Sequence, residues 1–259
     1  MLSNEPFLWR GADVGISPQD HACLLLHGLG GGIYELQWLA ERLLGLGLTV
    51  QGFNYPGHDQ PAPRMPRSSW TEWYGRVLEH YLALQQEYRR VSVVGFSTGC
   101  PLALHLAFAH PLHKLVLLSP FFAIRHQWYY GLRPEQYLNS IGRLLEDVPR
   151  LQLPIRDGDV RALAEKTAYF QSFNLPSVRS ALELIERVRG EVARIQVPTL
   201  ILQSRQDTVV DPEQAEWLYR ELGSEQKVLH WLEHSDHILS LDVEREEVFT
   251  QICQFLGDP

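Results

Sequence analysis

The sequence predicts an α/β fold with a mostly parallel sheet flanked by helices, and three observations carry that expectation. Short, continuously apolar runs bounded by turn residues recur along the chain, stretches with apolar residues three and four apart lie between them, and one long segment interrupts the alternation with helix-period sequence only. Uninterrupted apolar runs suit strands covered on both faces, as in a parallel sheet, and regular alternation of the two patterns marks α/β architecture.

The strand-like runs, in chain order, are ACLLLHG, LTVQGFN, VSVVGF, KLVLLSP, PTLILQS and KVLHWLE. Helical periodicity covers 36–44, 69–88, 101–109, 212–222 and 243–255. Pro101 falls in a first helical turn, where its missing N–H would be unpaired in any case. Between the strand at 115–118 and the strand at 199–203, the stretches RPEQYLNSIGRLLEDV, DVRALAEKTAYFQSF and SVRSALELIERVRG read as helices, and no strand is expected there. The division that follows is a core of 1–122 and 195–259, with 123–194 inserted as a helical cap over the strand ends. The cap begins FFAIRHQWYYG, with Phe121, Phe122, Trp128, Tyr129 and Tyr130 close together. Such aromatics suit both cap-to-core packing and the lining of an apolar pocket. Phe121, Phe122, Trp128 and Val209 are the candidate substrate-lining residues.

A chain of 259 residues with 45 % hydrophobic composition is ample for one core. The 23 Lys and Arg against 31 Asp and Glu leave a net charge of −8 and no basic run, so nucleic acid is not an expected partner. The start, MLSNEPFLWRGADVG, lacks a basic region followed by an apolar core, and no stretch approaches the ~20 apolar residues of a membrane span. A cytoplasmic protein without membrane insertion is expected. Cys23, Cys100 and Cys253 are far apart and lack a Cys-x-x-Cys pair, which favours packing over metal or redox chemistry. No metal and no cofactor is expected.

The chemistry-bearing stretch is VSVVGFSTG: Ser97 follows a strand, precedes a helix, and lies between Gly95 and Gly99. A serine on such a turn is forced into a strained backbone conformation that pushes its hydroxyl outward, and glycines two residues away on each side avoid collisions as strand and helix cross. A serine hydroxyl needs a base, an acid to orient that base, and donors for an oxyanion. The base should follow the last strand, where KVLHWLEHSDHILSLD offers His230, His234 and His237. His230 lies within the strand and His234 close to its end, so His237, which begins the segment leading to the last helix, is preferred. The acid should follow the preceding strand. Asp211 stands directly before Pro212 at a helix start and reads as a cap, which leaves Asp207. For the oxyanion, the glycine-rich turn in LLLHGLGGG can present backbone N–H groups, and Leu29 and Thr98 are the expected donors. That turn lacks Gly-Lys-Ser/Thr and is not Gly-x-Gly-x-x-Gly, so a nucleotide is not expected there.

Taken together, LLLHGLGG, GFNYPGHDQ, VVGFSTG, SRQDTVVDP and SDHILSLD resemble the α/β-hydrolase family, most closely its small bacterial carboxylesterases and monoacylglycerol lipases. The resemblance covers roughly 20–122 and 195–259. It implies a catalytic triad of Ser97, Asp207 and His237, oxyanion donors at Leu29 and Thr98, and a supporting role for His58 in the PGHD loop, where Asp59 replaces a glycine usual in the family. It also marks two departures. Cys100 stands where a glycine or alanine is common, which tightens packing beneath the nucleophile. Asp236 stands where glycine commonly precedes the histidine, and its charge would raise the His237 pKa where the side chains approach. The implied activity is hydrolysis of carboxylic esters with apolar, short-to-medium acyl groups through an acyl-enzyme on Ser97. A thioesterase, a lactonase, a peptidase or a carbon–carbon bond hydrolase would share the same motifs, and a non-catalytic ligand-binding protein is the rival from another class. A dehalogenase would need a carboxylate at position 97.

Overall fold

Every apolar run becomes a strand, and a further strand joins them that is too short to show a period. The computed structural model describes residues 1–11, 20–126 and 145–257. Its strands are β1 (Phe7–Trp9), β2 (His21–Leu26), β3 (Thr49–Gly52), β4 (Arg90–Phe96), β5 (Leu115–Leu118), β6 (Asp147–Pro149), β7 (Ser172–Asn174), β8 (Thr199–Ser204) and β9 (Lys227–Leu232). The helices are α1 (Gln37–Gly45), α2 (Trp70–Glu87), α3 (Gly99–Ala109), α4 (Gly158–Thr167), α5 (Leu175–Arg189), α6 (Glu213–Glu221) and α7 (Arg245–Gly257). Seven strands form one sheet in the order β1-β3-β2-β4-β5-β8-β9, parallel throughout except for β1, which runs antiparallel to β3.

The continuous apolar runs reflect two buried faces. Along β2, Ala22, Leu24 and Leu26 enter one core with α2, α3 and α5, while Cys23 and Leu25 enter the other with α1 and α7. On β4 the same alternation sends Val91 and Val93 one way and Val94 and Phe96 the other. Between β2 and β4 the strand order reverses direction. The strand ends on either side of such a switch leave a crevice, where a parallel α/β sheet positions its functional groups.

The helices follow the expected spans to within a few residues. In α2 the buried positions Trp73, Val77, Tyr81 and Leu84 keep one face inward, and its start is closed by a capping box. The Ser69 N–H donates to Glu72 Oε2 at 2.8 Å and the Glu72 N–H to Ser69 Oγ at 3.4 Å, an arrangement whose loss costs about 1 kcal/mol.

The segment expected to hold no strand contains two. Strands β6 and β7 pair antiparallel, with Val148 opposite Phe173. The helical reading failed for local reasons. Val148 precedes Pro149, which disfavours its helical conformation, and Asn174 caps α5 by accepting the Ser177 N–H, so the chain just before it is extended. Of the aromatic run and the RPEQYLNSIGRLLEDV pattern, Trp128, Tyr129, Tyr130 and 133–144 lie outside the described residues. The α5 helix buries Ala181, Leu184, Ile185 and Val188 in the same core as α2 and α3. Among the described residues no helix is long and apolar enough to cross a membrane.

Candidate active site

Ser97 stands on the turn between β4 and α3 with φ of 53°, in the left-handed region that costs a non-glycine residue roughly 1–2 kcal/mol. The backbone on either side admits only glycine. A Cβ on Gly95 would lie 2.5 Å from the Gly99 carbonyl oxygen, and one on Gly99 would lie 2.2 Å from the Leu26 carbonyl oxygen at the end of β2. Both obstacles are main chain and cannot rotate away. The turn is further held by the Ser97 N–H, which donates to the Leu118 carbonyl at 2.9 Å. Beneath it the Cys100 thiol is fully buried and donates to the Gly95 and Leu118 carbonyls at 3.2 and 3.3 Å.

The loops after β8 and β9 bring Asp207 and His237 to this serine. The Ser97 hydroxyl donates to His237 Nε2 at 2.9 Å, and His237 Nδ1–H donates to Asp207 Oδ2 at 2.8 Å. The tautomer follows from the chemistry, since a carboxylate only accepts. Asp207 is fully buried and satisfied on both oxygens. Oδ1 accepts the Val209 and Val210 N–H groups at 2.8 and 2.9 Å, and Oδ2 also accepts from Gln203 Nε2 at 3.1 Å. Burial by itself pushes this carboxyl up, but the charge and hydrogen bond of His237 and the Val210 and Val209 amides outweigh it and hold Asp207 below its ordinary range. For His237 burial acts downward, yet the charge and hydrogen bond of Asp207, followed by the charges of Asp236 and Glu35, raise it above the usual histidine value. The Asp236 carboxylate itself accepts the Thr208 N–H and hydroxyl at 2.9 and 2.8 Å, tying the base loop to the acid loop. Ser119, at the end of β5, donates its hydroxyl to the His237 carbonyl at 2.8 Å.

The other candidates are engaged elsewhere. His230 pairs with Glu247 at 2.8 Å, His234 is exposed, and Asp211 accepts the Glu213 N–H at 3.2 Å at the start of α6. Phe121 and Phe122 are buried, and the Phe122 ring packs on Trp217 at 5.3 Å with the Arg189 guanidinium above both. Val209 is about one-third exposed beside the acid.

The glycine-rich turn after β2 abuts the nucleophile: a Cβ on Gly28 would lie 3.3 Å from Ser97 Cβ. Its amides are divided in use. The Gly28 N–H donates to Glu35 Oε2 at 3.0 Å and the Gly30 N–H to His58 Nε2 at 3.1 Å, while the N–H of Leu29 between them has no partner among the described residues. The Thr98 N–H at the start of α3 likewise has none. Burial lowers His58 to about 4, so it stays neutral and accepts through Nε2 at working pH. His27 is neutral for the same reason, donating from Nδ1 to the Gly28 carbonyl and accepting the Tyr55 N–H. Glu35 escaped notice in the sequence because an acidic residue at a helix start is ordinary. Gln203 escaped because its strand looks uniformly buried.

A family profile described as "Serine aminopeptidase, S33" matches residues 17–244. The chain belongs to that family. It is an α/β-hydrolase, and within the family it resembles enzymes of known activity over nearly its whole length. It is 26 % identical to a carboxylesterase of Bacillus subtilis (strain 168) across 99 % of this chain and 97 % of that one. It is 28 % identical to a thermostable monoacylglycerol lipase of Bacillus sp. (strain H-257) across 98 % and 94 % of the two chains. The crystal structure of a Paleococcus ferrophilus monoacylglycerol lipase shares the fold at a TM-score of 0.80 and 22 % identity, each chain 98 % covered. The protein is a serine hydrolase.

Proposed function

We propose that this enzyme cleaves carboxylic esters with an apolar acyl group of short to medium length, by acyl transfer through Ser97. The observation that carries the reading is the unbroken chain from Ser97 Oγ through His237 to Asp207, set beside two unpaired N–H groups. Relatives named carboxylesterase and monoacylglycerol lipase support esters as the substrate class.

In the first step the Ser97 oxygen bonds to the ester carbonyl carbon as its proton passes to His237 Nε2. The carbonyl π electrons move onto oxygen, and the Leu29 and Thr98 N–H groups receive the resulting oxyanion. Asp207 holds the imidazole in the tautomer that can accept and stabilises the imidazolium. Collapse of the tetrahedral adduct breaks the carbon–oxygen bond to the alcohol, which takes its proton from His237 and leaves an acyl-serine. Water then repeats the sequence: His237 removes its proton as the water oxygen bonds to the acyl carbon, and collapse breaks the acyl–Oγ bond as Ser97 Oγ takes the proton back from His237, releasing the free acid. In this reading residues 123–194 are the cap, and Phe121 and Val209 flank the acyl group.

The family's description favours one second reading, cleavage of an N-terminal peptide bond by the same residues. The decisive experiment treats purified protein with a fluorophosphonate probe, locates the adduct by peptide mass spectrometry, and compares nitrophenyl esters and thioesters of increasing chain length with aminoacyl nitroanilides. Adduct at Ser97 with ester turnover is expected. Turnover of nitroanilides without esters would make it a peptidase, and an unlabelled, folded protein would leave the ligand-binding alternative.

A further inference from the structure

Glu35 belongs to the short 3-10 segment Ile33–Leu36 that precedes α1, and it is 3 % exposed. A carboxylate is expensive to bury without partners. Here the partners are the oxyanion turn itself. Oε2 accepts the Gly28 N–H at 3.0 Å, and a Cβ added to Gly31 would lie 2.0 Å from Oε1, so the main chain of the turn lies directly on the carboxylate. The residue also reaches the base loop, because the Ser240 hydroxyl donates to the Glu35 carbonyl.

We propose that Glu35 is a positioning residue for the oxyanion turn: by holding the Gly28 N–H on one side, as His58 holds the Gly30 N–H on the other, it leaves the intervening Leu29 N–H free to receive the oxyanion. The inference rests on the esterase reading. It assigns the glycine-rich turn a side-chain lock, since glycines by themselves leave such a turn loose. The groups acting on Glu35 come from several elements. They are His237 of the base loop, Arg150 just after β6, the neighbouring Tyr34, and Tyr55 after β3. Burial raises the Glu35 carboxyl to about 7, against the pull of the Gly28 amide, Arg150, His237 and the Gly32 amide. In its charged form it in turn helps raise His237.

The test compares Glu35→Gln and Glu35→Leu with wild type on a short-chain nitrophenyl ester from about pH 5 to 9, with Ser97→Ala as the blank. Losing one oxyanion donor costs about 10²–10³ in kcat, and the leucine variant loosens a donor without removing it, so a kcat loss of about 10- to 100-fold is expected. KM should stay within about threefold, the mark of an interaction made in the transition state. Glutamine keeps an acceptor of the same size and should restore kcat to within about threefold of wild type. Its acidic limb should move to lower pH, because a charge that raises His237 is gone. Equal losses in both variants, a change confined to KM, or a lowered Tm with kcat and limb intact would overturn the proposal. If Glu35→Leu does not fold, Glu35→Ala takes its place, and kcat within about threefold of wild type in that folded variant overturns the proposal. Adduct at Ser97 in wild type with unaltered Glu35 variants would remove this inference alone. Wild type that neither forms the adduct nor turns over ester would remove the esterase reading and this inference with it.

Discussion

The two turns that meet at the reacting atoms are held by opposite means. At the elbow that carries Ser97 the constraint is main chain against main chain: Gly95 faces the Gly99 carbonyl, Gly99 faces the Leu26 carbonyl, and Ser97 between them stands at positive φ. At the oxyanion turn the constraint comes from side chains, with Glu35 and His58 each taking one amide and leaving Leu29 between them. A backbone constraint admits only glycine and therefore leaves a pattern in the sequence. A side-chain constraint can be met by many residue types from many places, and Glu35 leaves no pattern of its own.

Ser97→Ala should abolish fluorophosphonate labelling and reduce kcat by about 10⁴- to 10⁶-fold, and Asp207→Asn should cost about 10³- to 10⁴-fold because the amide presents the wrong partner to Nδ1. Both folds should persist, as read by circular dichroism, and turnover near wild type in Asp207→Asn would remove Asp207 from its role. Gly99→Ala tests the elbow as architecture. With 2.2 Å to the Leu26 carbonyl oxygen, the added methyl should destabilise by about 3 kcal/mol or prevent folding, measured as a denaturant midpoint.

His58→Phe tests the contrasting turn. It removes the acceptor for the Gly30 N–H at similar volume, leaves a buried donor unpaired at a cost of about 1–3 kcal/mol, and should lower kcat about tenfold in a folded protein. A kcat at the wild-type level in folded His58→Phe would show that the turn does not depend on this side chain. The smallest effect is a shift rather than a loss. Activity appears as pH rises through the His237 pKa, because only the neutral imidazole accepts the Ser97 proton. Asp236 contributes to raising that pKa, so Asp236→Asn should move the acidic limb of kcat/KM to lower pH while the plateau holds. An unmoved limb would mean that Asp236 serves only to bind Thr208.

The residues that meet in the Ser97–His237–Asp207 chain were legible because each sits where strand order dictates. Ser97 follows the central strand, Asp207 follows β8 and His237 follows β9, and rivals such as Asp211 and His230 could be set aside by position. Strand β1 escaped because three residues show no period, and β6 and β7 because their stretches carry apolar spacing compatible with a helix. In those strands Pro149 and the Asn174 cap outweighed the apolar spacing. Glu35 escaped for a different reason: nothing in IYELQWLAERL distinguishes a buried carboxylate from a solvated one.

The α/β class, the order of the strands and the strand–turn–helix setting of Ser97 were legible in the sequence, because those follow from local sterics and apolar periodicity, which act within a few residues. Only the tertiary structure decided that His237 reaches Ser97 across 140 residues, that Leu29 and Thr98 keep free N–H groups, and that Glu35 lies under the oxyanion turn. Those facts depend on which backbone and side-chain groups are left unpaired once the sheet has closed, and that is a property of packing between distant segments.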